Sequence, residues 1–165
     1  MALILIIGYG NPSRGDDALG PALLEWLEQE RDAGGITVPF DTITDFQLQI
    51  EHALDLRGRE LVLFVDSSVS LSAPYRFSKL HPERDLSYTT HAISPTSLLV
   101  VYQQAVDEMP PESFLLEISG RHFELGEDMS DEAIDNLSQA SRFVSNLLQA
   151  PDAEAWLKWV EEPDN

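Results

Sequence analysis

Short, uninterrupted apolar runs alternate along the chain with segments in which apolar residues recur every three or four positions. Runs of the first kind are typical of strands that are buried on both faces of a sheet. The most apolar run, residues 60–65, predicts a central strand, while Pro39 favours an edge position or a bulge for the strand that contains it. In chain order, the predicted strands span residues 3–7, 36–43, 60–65, 75–80 and 114–118.

The periodic segments carry helix start and stop signals. Pro21 favours a first helical turn, and the helix after it is expected to reach about Arg31. A short helix should end near Leu56. Ser94 followed by proline predicts a capped helix that runs to about Asp107. The longest helix is predicted over residues 131–148, with an apolar side formed by Ile134, Leu137, Phe143, Val144 and Leu147.

The alternation of strands and helices predicts an α/β domain with a mostly parallel sheet covered on both faces. With 165 residues and no internal repeat, the chain fits one domain. We expect that domain to span residues 1–150 and to be followed by an acidic tail over residues 151–165, in which residues 153–160 form at most a short amphipathic helix.

The amino-acid composition makes several classes of function improbable for this protein. The chain has 29 acidic and 10 basic residues, a net charge of −19 and no cysteine. This charge disfavours binding to nucleic acid or to an anionic membrane, and it fits a partner with a basic surface. Without cysteine, thiol catalysis and thiolate metal sites are excluded. No apolar run is long enough to cross a bilayer, and the first residues lack the basic segment of a signal peptide, so we expect a cytoplasmic protein.

A glycine-rich loop with two adjacent carboxylates follows the first strand. A dinucleotide-binding fingerprint would require glycine where Ser13 stands, and a phosphate loop would require lysine followed by serine or threonine where Asp16 and Asp17 stand. Paired carboxylates suit a cation or a basic substrate group instead. The alternative is that one of the two aspartates caps the next helix. The loop runs Gly8-Tyr9-Gly10-Asn11-Pro12-Ser13-Arg14-Gly15-Asp16-Asp17-Ala18-Leu19-Gly20.

Two further candidate ligands follow later strands. Asp66 ends the third strand, and His91 lies in the loop after the fourth. Right-handed crossovers would bring the ends of the first and third strands to the same edge of the sheet. Carboxylates and an imidazole suit a borderline divalent ion such as Ni²⁺ or Zn²⁺, with water in the remaining positions. Each residue also has a structural alternative, since a strand-end aspartate often holds a neighbouring loop and a loop histidine often serves as a hydrogen-bonding group.

These residues resemble the motifs of the hydrogenase maturation endopeptidases, the family that processes the large subunit of nickel–iron hydrogenases. The family's Gly-x-Gly-Asn loop and its Asp-(Asp/Glu)-x-x-Gly continuation match residues 8–20, its strand-end aspartate matches Asp66, and its loop histidine matches His91. Further similarity lies in Gln47-Leu48-Gln49-Ile50-Glu51, Thr90-His91-Ala92-Ile93-Ser94-Pro95 and Glu117-Ile118-Ser119-Gly120. The resemblance implies a three-layer fold, with a twisted five-stranded sheet between helices.

The resemblance also implies an activity. The protein would remove a C-terminal extension from the nickel-loaded precursor of a hydrogenase large subunit, cutting after a basic residue. The nickel would belong to the substrate, although zinc or cadmium could occupy the same site. Asp17, Asp66 and His91 would bind the metal, and the catalytic candidates are Asp16 and Asp17. The family often has glutamate at position 17, which leaves open which of the two aspartates contacts metal. The substrate-binding candidates are Gly10, Asn11 and Gln49.

The hydrolytic mechanism remains open between two forms, because the family is grouped both with aspartic-type endopeptidases and with metallopeptidases. A metal-polarised carbonyl with metal-bound water is one form, and a carboxylate general base such as Asp16 is the other. No His-Glu-x-x-His motif is present. We expect a monomer. The alternatives to a peptidase are a non-catalytic nickel carrier or chaperone for a basic partner and, on the Gly8-x-Gly10 pair alone, a nucleotide-binding domain.

Overall fold

A five-stranded sheet forms the centre of the protein in a computed structural model, which describes residues 1–84 and 92–161. The strand order is β2-β1-β3-β5-β4; the first four of these strands are parallel, and β4 runs antiparallel to β5 at one edge. The strands are β1 (Ile4–Tyr9), β2 (Asp41–Asp45), β3 (Leu61–Ser68), β4 (Tyr75–Leu80) and β5 (Glu112–Ser119).

Helices connect most of the strands and start at the residues that the sequence indicates. Ser94 accepts a hydrogen bond from the N–H of Ser97 at 3.2 Å, and Ser130 accepts one from Ala133 at 3.1 Å. No helix in the described ranges is both long and apolar enough to cross a membrane. The helices are α1 (Leu19–Asp32), α2 (Pro95–Val106), α3 (Asp131–Gln149) and α4 (Ala153–Leu157), and two 3₁₀ helices span Gly15–Ala18 and Ile50–Leu56.

The sheet separates two apolar clusters, which makes the fold three-layered. Ile6 and Leu63 point to the side covered by α1, α3 and α4, whereas Ile7 and Phe64 point to the side covered by α2 and the second 3₁₀ helix. Adjacent strand residues alternate between these clusters because side chains along a strand point to opposite faces. The predicted α/β class with a mostly parallel five-stranded sheet is confirmed.

Two local predictions differ from the structure. β2 begins at Asp41 rather than residue 36, since Pro39 has no N–H to donate to a ladder; the strand does lie at an edge. Ile134 is 53% exposed, although its apolarity placed it on the buried side of α3. The buried side of α3 instead includes small and polar residues, among them Ala133, Asn136 and Ala140. A search for large apolar residues at helical spacing does not detect these positions.

The segment after α3 belongs to the packed unit. Trp156 of α4 has no exposed surface, and its ring lies 5.3 Å from that of Phe114 and 6.4 Å from that of Phe77, between centroids. Its indole N–H donates to the carbonyl of Leu147 at 2.9 Å. Residues 153–160 therefore pack against the same core as β4 and β5.

Candidate active site

The glycine-rich loop contains the first 3₁₀ helix, and the start of the loop folds back against that helix. The N–H of Gly10 donates to the carbonyl of Asp45 at 3.0 Å, which ties the loop to the end of β2. A Cβ atom at Gly10 would lie 1.9 Å from the carbonyl oxygen of Asp17. Only glycine fits this approach, so the loop path that places Asp17 depends on Gly10.

Asp17 points from this loop toward the end of β3. Its Oδ2 accepts the backbone N–H of Asn11 at 2.7 Å, and its Oδ1 accepts the hydroxyl of Ser67 at 3.3 Å. The side chain is half-buried. Asp17 is thus held at the carboxyl edge of the sheet, the edge at which open α/β sheets bind ligands.

Asp66 lies at the same edge, at the point where β3 leaves the core. Ser67 links the two carboxylates, because its N–H donates to Asp66 at 2.8 Å while its hydroxyl donates to Asp17. Burial raises the pKa of Asp66 from 3.8 to about 7; the Ser67 N–H opposes the rise, and the charges of Asp17 and Glu117 add to it. A cation bound beside Asp66 would relieve this repulsion and favour the ionised form.

Asp16 points away from this pair and is completely buried. Its Oδ2 accepts the N–H of Arg121 at 2.7 Å, the N–H of His122 at 3.0 Å and the hydroxyl of Ser130 at 2.9 Å. Its Oδ1 accepts the N–H of Ser130 at 2.7 Å. Burial opposes ionisation, but these four donors hold the pKa of Asp16 below its usual value. The carboxylate is therefore an ionised acceptor inside the protein, bonded on both oxygens.

Solved structures share this arrangement of strands and helices, although no family model and no curated protein matches the sequence. HycI, a NiFe hydrogenase maturation protease of Thermococcus kodakarensis, superposes with a TM-score of 0.67 over 88% of this chain and 92% of that chain, at 20% identity. The hydrogenase maturating endopeptidase HybD of E. coli gives 0.67 over 91% and 94%, at 21% identity. A hydrogenase 2 maturation peptidase from a Thaumarchaeota archaeon gives 0.62 over 88% and 97%, at 24% identity.

This chain has the fold of the hydrogenase maturation proteases. The fold that the motif resemblance implied is thereby confirmed over nearly the whole chain. Within the maturation-protease fold, the glycine-rich loop and the end of β3 lie side by side, because β1 and β3 are neighbouring parallel strands.

The predicted substrate-binding residues Asn11 and Gln49 make hydrogen bonds near the carboxyl edge of the sheet. Asn11 contributes its backbone N–H to Asp17, and its side-chain oxygen accepts the N–H of Ser13 at 2.9 Å. The amide of Gln49 donates to the carboxylate of Asp45 at 3.3 Å. Asp45 also lies 3.3 Å from Nε2 of His52. Gln49 is therefore anchored at the end of β2, next to the strand that carries the glycine-rich loop.

His91, the third predicted metal ligand, lies outside the described residues. Within residues 1–84 and 92–161, no three His, Cys, Asp or Glu side chains are grouped so that they could hold a metal ion. The described part of the site therefore offers two carboxylates, those of Asp17 and Asp66, as candidate ligands.

Sequence reasoning missed two members of the site, Tyr9 and Glu117. Glu117 of β5 is the register partner of Asp66 on one side and of Arg76 on the other, and its Oε1 lies 3.0 Å from the Arg76 guanidinium. Burial raises the pKa of Tyr9 well above its ordinary value, and the nearby charges of Asp66 and Glu117 raise it further. Both residues lie inside the quoted motifs, but their proximity to Asp66 requires the strand order.

Proposed function

We propose that this protein is an endopeptidase that removes a C-terminal extension from the nickel-loaded precursor of a nickel–iron hydrogenase large subunit. The observation that carries the proposal is the pairing of Asp17 and Asp66 through Ser67 at the carboxyl edge of a maturation-protease fold. The motifs around these residues support it independently. The precursor is the proposed partner, and nickel is the part of that substrate which the site would recognise.

Asp17 and Asp66, together with His91, are the proposed contacts to the substrate's nickel. Two carboxylates that repel each other in a partly buried site favour a divalent cation, and oxygen and imidazole ligands suit nickel or zinc. Gly10, Asn11 and Gln49 are proposed to line the path of the precursor chain. Gly10 and Asn11 lie on the loop that carries Asp17, and the Gln49 side chain is hydrogen-bonded to Asp45 at the end of β2.

Hydrolysis requires a water molecule, a group that takes its proton and a means of polarising the scissile carbonyl. Asp17 and Asp66 lie where they could take part in either of the last two roles. Asp16, the other catalytic candidate, has both oxygens occupied by internal donors and no exposed surface. Both the aspartic-type and the metal-assisted form of the mechanism therefore centre on Asp17 and Asp66 in this proposal.

We also propose that the protein works as a monomer in the cytoplasm. The net charge of −19 opposes contact between identical copies and favours a partner with a basic surface. The absence of cysteine fits a reducing compartment.

The proposal is tested by measuring the intact mass of a hydrogenase large-subunit precursor after incubation with the protein, with and without nickel loading. We expect loss of a C-terminal peptide only from the nickel-loaded precursor. Asp17→Asn, Asp66→Asn and His91→Ala should fold and leave the precursor uncut. Asp55→Asn, which changes an exposed aspartate on the second 3₁₀ helix, is the matched control and should cut normally.

An uncut, nickel-loaded precursor would contradict the peptidase. In that case, tight nickel binding by the isolated protein in equilibrium dialysis, lost in Asp66→Asn, would favour the nickel carrier or chaperone instead. A site variant that still cuts at the normal rate would remove that residue from the proposed site.

A further inference from the structure

In the first 3₁₀ helix, Gly15–Ala18, the side chains of Asp16 and Asp17 point in different directions. A 3₁₀ helix has about three residues per turn, so adjacent side chains diverge by about 120°. Asp17 points to Ser67 at the end of β3, while Asp16 points to the segment that follows β5. One turn of the chain thus connects the candidate site to a second segment, residues 120–130.

Backbone hydrogen bonds join the two segments in addition to the four that end on the Asp16 carboxylate. The N–H of Gly15 donates to the carbonyl of Glu127 at 3.0 Å, that of Asp16 donates to His122 at 2.6 Å, and that of Gly126 donates to Ser13 at 2.7 Å. We call this set of contacts between residues 13–16 and residues 120–130 the loop clamp. It fastens the glycine-rich loop to the end of β5 and to the start of α3.

Two glycines allow the segments of the loop clamp to approach so closely. A Cβ atom at Gly120 would lie 2.7 Å from Cβ of Asp16, and one at Gly15 would lie 2.3 Å from the carbonyl oxygen of His122. Gly15 also has a φ of +54°, which favours glycine. The backbone around Asp16 is therefore shaped to receive its carboxylate.

We propose that Asp16 is a positioning residue of the peptidase proposed above, on which this inference rests: by holding the loop clamp, it fixes Asp17 opposite Asp66. Asp16 has no exposed surface, so it does not touch the precursor. Its effect reaches Asp17 through the shared 3₁₀ helix, whose position also decides whether the Asn11 N–H can reach the Asp17 carboxylate.

The first test is Asp16→Asn, measured by amide hydrogen exchange. Asparagine keeps the shape of aspartate but turns one acceptor oxygen into an N–H₂ group, which faces donors that then lose their partner. We expect exchange about tenfold faster or more at the backbone N–H groups that lose their acceptor, which are those of Arg121 and His122 or that of Ser130 according to the orientation of the amide. We expect the same increase at Asn11, whose N–H reports the position of Asp17. The exchange measurement needs no substrate.

The second test is kinetic and uses Ser130, which contacts Asp16 but lies outside the proposed catalytic pair. Ser130→Ala removes one donor to Asp16, so kcat for precursor cleavage should fall while KM stays within about twofold. Ser130→Thr keeps the hydroxyl and should restore kcat. Since Ser130 also caps α3, Asp152→Ala is the matched control; it removes the cap of α4 without touching the loop clamp and should leave kcat unchanged.

Two results would overturn the proposal. Exchange at Asn11 that stays as slow in Asp16→Asn as in the wild type would show that the loop clamp does not fix Asp17. Loss of cleavage in Asp16→Asn combined with normal kcat in Ser130→Ala and unchanged exchange would indicate direct catalysis by Asp16. Failure of the wild-type protein to cut a nickel-loaded precursor would refute the proposed function instead, and the exchange result would still decide whether Asp16 positions Asp17.

Discussion

Asp16 and Asp17 are chemically identical neighbours that the fold places in opposite environments. Four internal donors surround the carboxylate of Asp16. Asp17 has two donors and lies at the edge of the sheet, linked to Asp66 through Ser67. The number of donors and the neighbouring charges, rather than residue type, decide which carboxylate is structural and which is available to a substrate.

The raised pKa of Asp66 predicts a specific dependence of stability on pH. Its pKa is about 7 in the folded protein and 3.8 ordinarily, so the folded state binds more protons between these values. The contribution of Asp66 to the free energy of unfolding is therefore greatest below pH 4 and is lost as pH rises to about 7. Asp66→Asn does not titrate and should gain stability over the wild type across this range, by about 4 kcal/mol at pH 8.

Thermal melting of both proteins at pH 4.5, 6 and 8 measures this difference. Asp55→Asn, an exposed substitution, should show no comparable trend and serves as the control. A wild-type protein that becomes more stable than Asp66→Asn as pH rises would contradict the assignment. The same variant is expected to be inactive, which would place catalytic need and stability in opposition at one residue.

At the scale of strands and helices, the sequence predicts the elements that have strong local patterns. The other elements and the strand order depend on contacts between residues far apart in the chain. The uninterrupted apolar run at residues 60–65, the Ser94 cap and the apolar periodicity of residues 131–148 suffice to place β3, α2 and α3 closely. Asp66 was identifiable because a carboxylate directly follows a buried strand. Glu117 was not, because its contact with Asp66 depends on the insertion of β5 beside β3, an order that local pattern does not contain.

The short helix α4 illustrates the same limit and leads to a prediction. A helix of five residues is too short to give a periodic signal, yet Trp156 fills the space beside Phe77 and Phe114. Trp156→Ala should lower the free energy of unfolding by about 3–5 kcal/mol, because it opens a large cavity and removes a buried hydrogen bond.

Chemical denaturation checks this prediction against Trp159→Ala as a matched control. Trp159 lies three residues away and is 59% exposed, so its removal should cost about 1 kcal/mol or less. Equal losses for the two variants would show that α4 does not complete the core.

At the scale of the whole molecule, the large negative net charge is the main electrostatic feature. The 29 acidic side chains outnumber the 10 basic ones, and bringing them together in a folded domain costs repulsive free energy. The candidate site concentrates negative charge locally, because the carboxyl groups of Asp17, Asp66 and Glu117 lie near one another. Glu117 is paired with Arg76. The charge therefore favours both a basic partner and a cation at the site.

Screening this repulsion should stabilise the protein. The Debye length falls from about 30 Å at 0.01 M salt to about 8 Å at 0.15 M, so the melting temperature should rise by a few degrees over that interval. Differential scanning calorimetry in NaCl measures it, with the same series repeated in KCl to exclude an ion-specific effect. A melting temperature that stays constant or falls would indicate that favourable ion pairs outweigh the repulsion.

The loop clamp also has a consequence for synthesis on the ribosome. The groups that bind the Asp16 carboxylate lie 105 to 114 positions further along the chain. A nascent chain therefore exposes its glycine-rich loop long before residues 121–130 emerge to hold it. An incomplete polypeptide that ends before residue 121 carries every aspartate proposed for the site, yet it lacks the contacts that orient them. In the proposed peptidase, catalytic competence would then arise only after translation has passed residue 130.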